Sequence, residues 1–353
     1  MSGVAAERGP VPRTIDWAGD HLVAIDQTLL PDRLVLTALR TTDDVVDALQ
    51  RLVVRGAPAI GVTGGLAVAL AAVIARRDGH DDTWVRTQAA RVRAARPTAV
   101  NLAWAVDLVL ARFDADPSNV DGPAGVVALA RSMVDDDVVA NRSLSARGAG
   151  HVRSLVPHRD RMRVLTHCNA GGLACVEWGT ALGIVRALHE DGHLHEVFAD
   201  ETRPLLQGVR LTAWELTQMG IAHHVVVDGA GASVISRGLV DVVIVGADRV
   251  AANGDVANKI GTYPLALAAA RSGVPFIVAA PESTVDLRTA SGAGIHIETR
   301  DPEEVLSWQG RRIAPLGSSA LNLAFDVTPF DLVTALVTES RVVRLSAGEP
   351  LTG

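Results

Sequence analysis

Three short stretches hold the side chains best suited to chemistry. The first, THCNAGGLAC (166–175), places the thiol of Cys168 just ahead of Gly171 and Gly172. Paired glycines let backbone N–H groups approach a ligand, and a helix expected from about residue 173 would turn its positive end toward the loop. A thiol in that setting gains thiolate character and reactivity. Cys175 falls inside the expected helix and reads as a packing residue. The second, VGADRVAANGDVANKIGTY (245–263), sets Asp248 after an apolar run. Burial raises a carboxyl pKa and suits it to general-acid work. Farther along, Asn258 and Lys259 are expected to open a helix. Lys259 is the only lysine among 33 lysines and arginines. A helix N-terminus disfavours a cation unless an anion is bound nearby. The third, RGAPAIG (55–61), puts Arg55 and Gly56 before a helix opening at about Pro58, a natural anion site. Arg96, in ARPTAVNLAW, also precedes a proline-led segment. With Lys259 these arginines would form a phosphate clamp.

Such side chains need a scaffold, and the pattern of the chain changes near residue 150. Before it, HLVAIDQTLL and DRLVLTAL flank a Pro-Asp turn and read as a β-hairpin. Helical periodicity follows near 42–54, 59–77, 82–95, 99–113 and 123–145. After it, short β-rich runs such as RVLTH, HEVFA, AHHVVV, DVVIVGA and PFIVAA alternate with amphipathic stretches. That alternation means βαβ units and a parallel sheet. The expected fold is therefore α/β. A β-hairpin and helical part over 1–150 precedes a doubly wound, Rossmann-like domain over 151–353. Ligands bind beyond the carboxyl ends of such strands. Cys168, Asp200, Glu201, Asp228 and Asp248 follow successive strands and so gather at that edge.

Composition narrows the function classes. Hydrophobic residues make up 48% and charged residues 21% of 353, which fits a globular chain. The net charge of −7 argues against a nucleic-acid or anionic-membrane partner. The N-terminal stretch lacks a signal-peptide apolar core, and runs such as GGLAVALAAVIA are shorter than a bilayer span. Two cysteines make no disulfide framework, so a reduced, cytoplasmic setting is expected.

Other motifs are weaker. DGAGASV (228–234) has two glycines of a dinucleotide loop, but Val234 replaces the third, so it reads as a tight turn into a helix. The histidines at 193, 195, 223 and 224 lack a partner ligand set, and no metal site is expected.

Over nearly its whole length the chain resembles the methylthioribose-1-phosphate isomerases. The segments are IDQTLLP, RGAPAIG, ARPTAVNLAWA, THCNAGGLA, DETRPLLQGVRLTAWEL, GADRVAANGDVANKIGTY and FDVTP, in that order. That group shares a superfamily with ribose-1,5-bisphosphate isomerases and regulatory subunits of a translation-initiation exchange factor. The resemblance implies Cys168 and Asp248 as the catalytic pair, with Asp248 the proton donor. It implies Arg55, Gly56, Ala57, Arg96, Gln207, Asn258 and Lys259 as substrate-binding positions. It also implies a homodimer that works without metal or organic cofactor. Leu323 stands where the family pattern expects proline, and ACVEWGTALG is unusual for it.

The substrate so implied is an aldose phosphorylated on its anomeric carbon, 5-methylthioribose 1-phosphate, and the product is the 1-phosphorylated ketose. Asp248 would protonate the ring oxygen or a developing oxyanion. Cys168 would act as a base or stabilise charge. Three alternatives stand beside this reading. They are isomerisation of ribose 1,5-bisphosphate or 5-deoxyribose 1-phosphate, a non-catalytic regulatory protein, and a nicotinamide dehydrogenase.

Overall fold

The computed structural model describes residues 11–96, 100–115 and 123–351. Pro97, Thr98 and Ala99 of the ARPTAVNLAW segment lie outside them. The hairpin is present as antiparallel strands Leu22–Ile25 and Leu36–Leu39, joined by a third strand, Ile15–Trp17. Five helices follow, at Thr42–Gln50, Ala57–Asp78, Asp82–Ala94, Val100–Asp114 and Ala124–Leu155. Thr41 caps the first of these in a reciprocal box with Asp44. Helix Ala57–Asp78 is long and apolar enough to cross a bilayer by length and composition, but 89% of its apolar window is buried in the fold. It is the central rod of the first core, surrounded by the other helices and the hairpin.

The second half builds a seven-stranded sheet. Its order is Val342–Val343, Ala335–Val337, Phe276–Ala279, Val242–Val245, Met162–Thr166, Leu194–Asp200 and His223–Val226. Every pairing is parallel except that of the first-named edge strand. Alternate residues serve opposite faces, as the two-residue period of a strand requires. Val164, Val242, Ile244 and Ile277 join one core, while Leu165, Val243, Val245 and Val278 join the other. Helix Ala124–Leu155 runs through the sequence boundary near residue 150. Its Met133, Val134 and Val138 belong to the first core, and its Leu144, Ala149 and Val152 to the sheet's core.

A small second sheet was not expected. Val285–Asp286, Arg249–Ala251, Val256–Lys259 and Phe325–Thr328 lie side by side. Asn258 and Lys259 are thus the last residues of a strand, not the opening of a helix. That helix begins at Thr262, behind Gly261 at φ 107°. The signal was in the sequence: Asn253-Gly254 is a hairpin dipeptide, and Gly254 turns the chain at φ 94°. Likewise, no α-helix starts at 173. A single 3-10 turn spans Gly172–Ala174, and the helix waits until Ala181.

Candidate active site

Strand order reverses between Met162–Thr166 and Val242–Val245, the crevice where open α/β sheets bind ligands. Cys168 leaves the first of these strands and Asp248 follows the second. Both border one cavity with Leu52, Arg55, Gly56, Ile60, Arg96, Leu205, Gln207, Lys259, Arg300, Ala324 and Phe325. A neighbouring hollow shares Arg55, Gly56, Cys168 and Asp248 and adds Ala57, His167, Asn169 and Asn258. All nine residues singled out from the sequence therefore line one pair of adjoining spaces. A larger groove of about 360 Å³, on the far side of Gly172 and Leu173, carries none of them.

The loop carrying Cys168 is held under strain. Cys168 has φ 61°, a left-handed conformation that is costly for a residue with a Cβ. Its N–H donates to Thr202 Oγ1 at 2.9 Å, and its carbonyl accepts Thr212 Oγ1 at 2.6 Å. Thr202 and Leu206, on the facing loop, and Leu52, on the cavity wall, are also left-handed. The Thr202 and Arg203 N–H groups both donate to Asp228, at 2.8 and 2.7 Å. Glu215 is buried behind the glycines. It accepts from Gly172 N at 2.8 Å and from Asn169 Nδ2 at 2.8 Å. Arg55 in turn donates to the Asn169 carbonyl at 2.7 Å and to its side-chain oxygen. Gly56, at φ 91°, caps helix Ala57–Asp78 so tightly that an added Cβ would lie 2.5 Å from the Ala174 backbone.

The electrostatics favour neutral acids. Burial pushes the Asp248 carboxyl up, against the pull of Arg55, Lys259 and Arg96. Burial also pushes the Cys168 thiol up, opposed by Arg55 and Lys259 and aided by Asp248. This overturns the expectation of a lowered thiol pKa, which relied on a helix N-terminus that lies elsewhere. Lys259 is only 5% exposed, and burial pushes its ammonium down despite the charges of Cys168 and Asp248. Among the described residues, Arg96 Nη1 and Gln207 Oε1 are buried without a hydrogen-bond partner. Both belong to cavity-lining side chains.

Sequence reading missed several residues here. Arg300 lines the cavity but is paired with Glu298 at 3.0 Å and Glu304 at 2.6 Å. Nothing in the ETRDPEE context separates it from a surface arginine. His167, Asn169 and Glu215 sit inside motifs already quoted, yet their roles depend on contacts far apart in the chain. His167, Asp200 and Asp228 offer ligand atoms within 4.8 Å of one another. Most of those atoms are engaged: His167 bonds Asp200 Oδ2 and Asp228 accepts two backbone N–H groups, while Asp200 Oδ1 is buried without a hydrogen-bond partner. The cluster reads as a hydrogen-bond network.

Known proteins are similar to this chain in sequence and fold. The sequence model of the Initiation factor 2 subunit family matches residues 53–344. A probable bifunctional methylthioribose-1-phosphate isomerase/methylthioribulose-1-phosphate dehydratase of Nocardia farcinica is 51% identical over 96% of the chain, which spans 60% of that relative's length. A methylthioribose-1-phosphate isomerase of Alkalilimnicola ehrlichii is 48% identical, with 95% of each chain covered. The crystal structure of 5-methylthioribose 1-phosphate isomerase from Pyrococcus horikoshii superposes with a TM-score of 0.85 at 40% identity, over 96% of this chain and 94% of the other. The chain belongs to the initiation factor 2 subunit family and, within it, to the methylthioribose-1-phosphate isomerases.

Proposed function

We propose that this chain converts 5-methylthioribose 1-phosphate to 5-methylthioribulose 1-phosphate. One observation carries the reading: Cys168 and Asp248 face the same small cavity as Arg55, Arg96 and Lys259. Two proton-bearing groups and three cations are what a sugar phosphate needs for ring opening with its anion held. The phosphate stays on C1 throughout. Asp248, favoured as the acid, gives its proton to the ring oxygen as the C1–O bond breaks. The hydrogen on C2 then moves to C1, and the C2 hydroxyl loses its proton as the ketone forms. Asp248, left as a carboxylate by the first step, takes that proton back, and Cys168, its thiol neutral, borders the same space to stabilise the charge that develops.

The apolar part of the cavity wall favours the methylthio substrate. Leu52, Ile60, Leu205 and Phe325 are apolar, and Arg300 already has two carboxylate partners. A 5-phosphate would meet little uncommitted charge there. Assay of the purified protein against 5-methylthioribose 1-phosphate, ribose 1,5-bisphosphate and 5-deoxyribose 1-phosphate tests this. The first should give the highest kcat/KM; a preference for the bisphosphate would overturn the reading. With the resemblance, the proposal carries a cytoplasmic homodimer acting on a small sugar phosphate without metal or organic cofactor. Sedimentation and metal analysis of the active protein check those points.

A further inference from the structure

We propose that His167 is a positioning residue of this site: braced by Asp200, its ring clamps the Ile260 carbonyl and thereby sets Lys259 against Cys168 and Asp248. The inference rests on the reading that Lys259 holds the substrate anion.

His167 is buried at 1% exposure between the two segments that carry the chemistry. It directly precedes Cys168. Its Nε2 lies 2.8 Å from the carbonyl of Ile260, the residue after Lys259. A carbonyl only accepts, so Nε2 carries the proton. Its Nδ1 lies 2.9 Å from Asp200 Oδ2, at the end of the adjacent strand. Both ring nitrogens are therefore committed, and each reaches a different part of the chain.

The turn after Lys259 is built around this ring. Gly261 lies so close that an added Cβ would sit 2.7 Å from His167 Cε1. Asp326 accepts the Gly261 N–H at 2.8 Å, and Ile260 N donates to the Ala324 carbonyl at 3.0 Å. Of the three ties on residues 260–261, only the His167 bond runs to the strand that leads into Cys168. An apolar side chain would fill the same volume but leave the Ile260 carbonyl without this donor. The effect expected is thus on where Lys259 stands, not on whether the turn forms.

Two substitutions separate the two nitrogens. The amide of Gln reaches the place of Nε2, and that of Asn the place of Nδ1. His167→Asn should raise KM for 5-methylthioribose 1-phosphate about tenfold with kcat changed less. His167→Gln should recover most of that affinity. In a Lys259→Met background, His167→Asn should have no further effect on kcat/KM, because the residue it acts through is gone. Should His167→Asn fail to fold, Asp200→Ala, which removes only the brace, should raise KM in the same direction and be silent beside Lys259→Met. Equal damage from Gln and Asn, or additive losses in the double mutant, would make His167 a packing residue and overturn the proposal. If Lys259→Met keeps its kcat/KM, the reading of Lys259 falls, and this proposal falls with it. If Lys259→Met loses activity while His167→Asn does not, the positioning role alone is wrong.

Discussion

At the scale of single residues, the site is governed by what burial does to charge. Asp248 is pushed toward its acid form chiefly by burial. The basic limb of the kcat profile should therefore lie above the ordinary carboxyl range, with activity lost as pH rises through the raised value. Asp248→Asn keeps the shape and removes the titration. It should lower kcat on the order of 10²-fold or more and abolish that limb, and near-normal turnover would take Asp248 out of the chemistry. The sign for stability follows from the same shift. A carboxyl raised in the fold contributes stability that is present at low pH and lost as pH rises through the folded value. Asp248→Asn should thus melt no lower than the parent at neutral pH. Lys259 obeys the same logic in reverse. Burial disfavours its ammonium, so Lys259→Met should keep or raise the melting temperature without ligand. The same variant should lose about 1.5–3 kcal/mol of transition-state binding, ten- to a hundredfold in kcat/KM. A large stability loss with intact kinetics would make Lys259 structural.

At the scale of elements, positions depend on turns more than on side chains. Gly56 can hold its φ of 91° and its contact with Ala174 only because it lacks a Cβ. Gly56→Ala should cost on the order of 1–3 kcal/mol by denaturant melts and displace Arg55, raising KM. Unchanged stability would show that the Ala174 segment yields easily. This is also where the sequence was and was not legible. Apolar strand runs and long helical periods place the elements well, because their burial is dictated by local pattern. Four of the five helices and the parallel strands appear close to their expected bounds, while the fifth, expected over 123–145, continues to Leu155 across the expected boundary. The other errors fall on short segments. Asn258 and Lys259 read as the start of a helix beside TYPLALAAAR, yet the pairing of Val256–Lys259 with Phe325–Thr328, some 70 residues on, makes them strand. Likewise, AGGLAC looks like a helix start, but Glu215 pins the backbone of Gly172 in a loop. Both decisions are made by partners distant in the chain, which no window of sequence contains. The cysteine's expected activation failed for the same reason. The gathering of Cys168 and Asp248 was legible, since strand ends of an open α/β sheet must share one edge.

At the scale of the whole molecule, the cavity draws on both halves of the chain. Arg55, Gly56 and Arg96 come from the helical part, whereas Cys168, Gln207, Asp248 and Lys259 come from the sheet domain. Asn101 reinforces the junction by donating to Ser283 at 3.1 Å. Helix Ala124–Leu155 contributes buried residues to both cores, so neither core loses that helix without the other feeling it. A boundary at residue 150 divides two patterns of sequence, but a cut there would sever a continuous helix. Unfolding should therefore be cooperative: circular dichroism and tryptophan fluorescence should report one thermal transition. A ligand that binds only the folded cavity stabilises by RT ln(1 + [L]/Kd), about 2.7 kcal/mol at a hundredfold excess over Kd. Because the cavity needs both halves, product sugar phosphate should shift that whole transition upward. Arg55→Ala and Lys259→Met should each weaken the shift, although they lie on opposite sides of the junction. Two separate transitions, with only the later one moved by ligand, would mean that the sheet domain binds alone and that the helical part merely covers it.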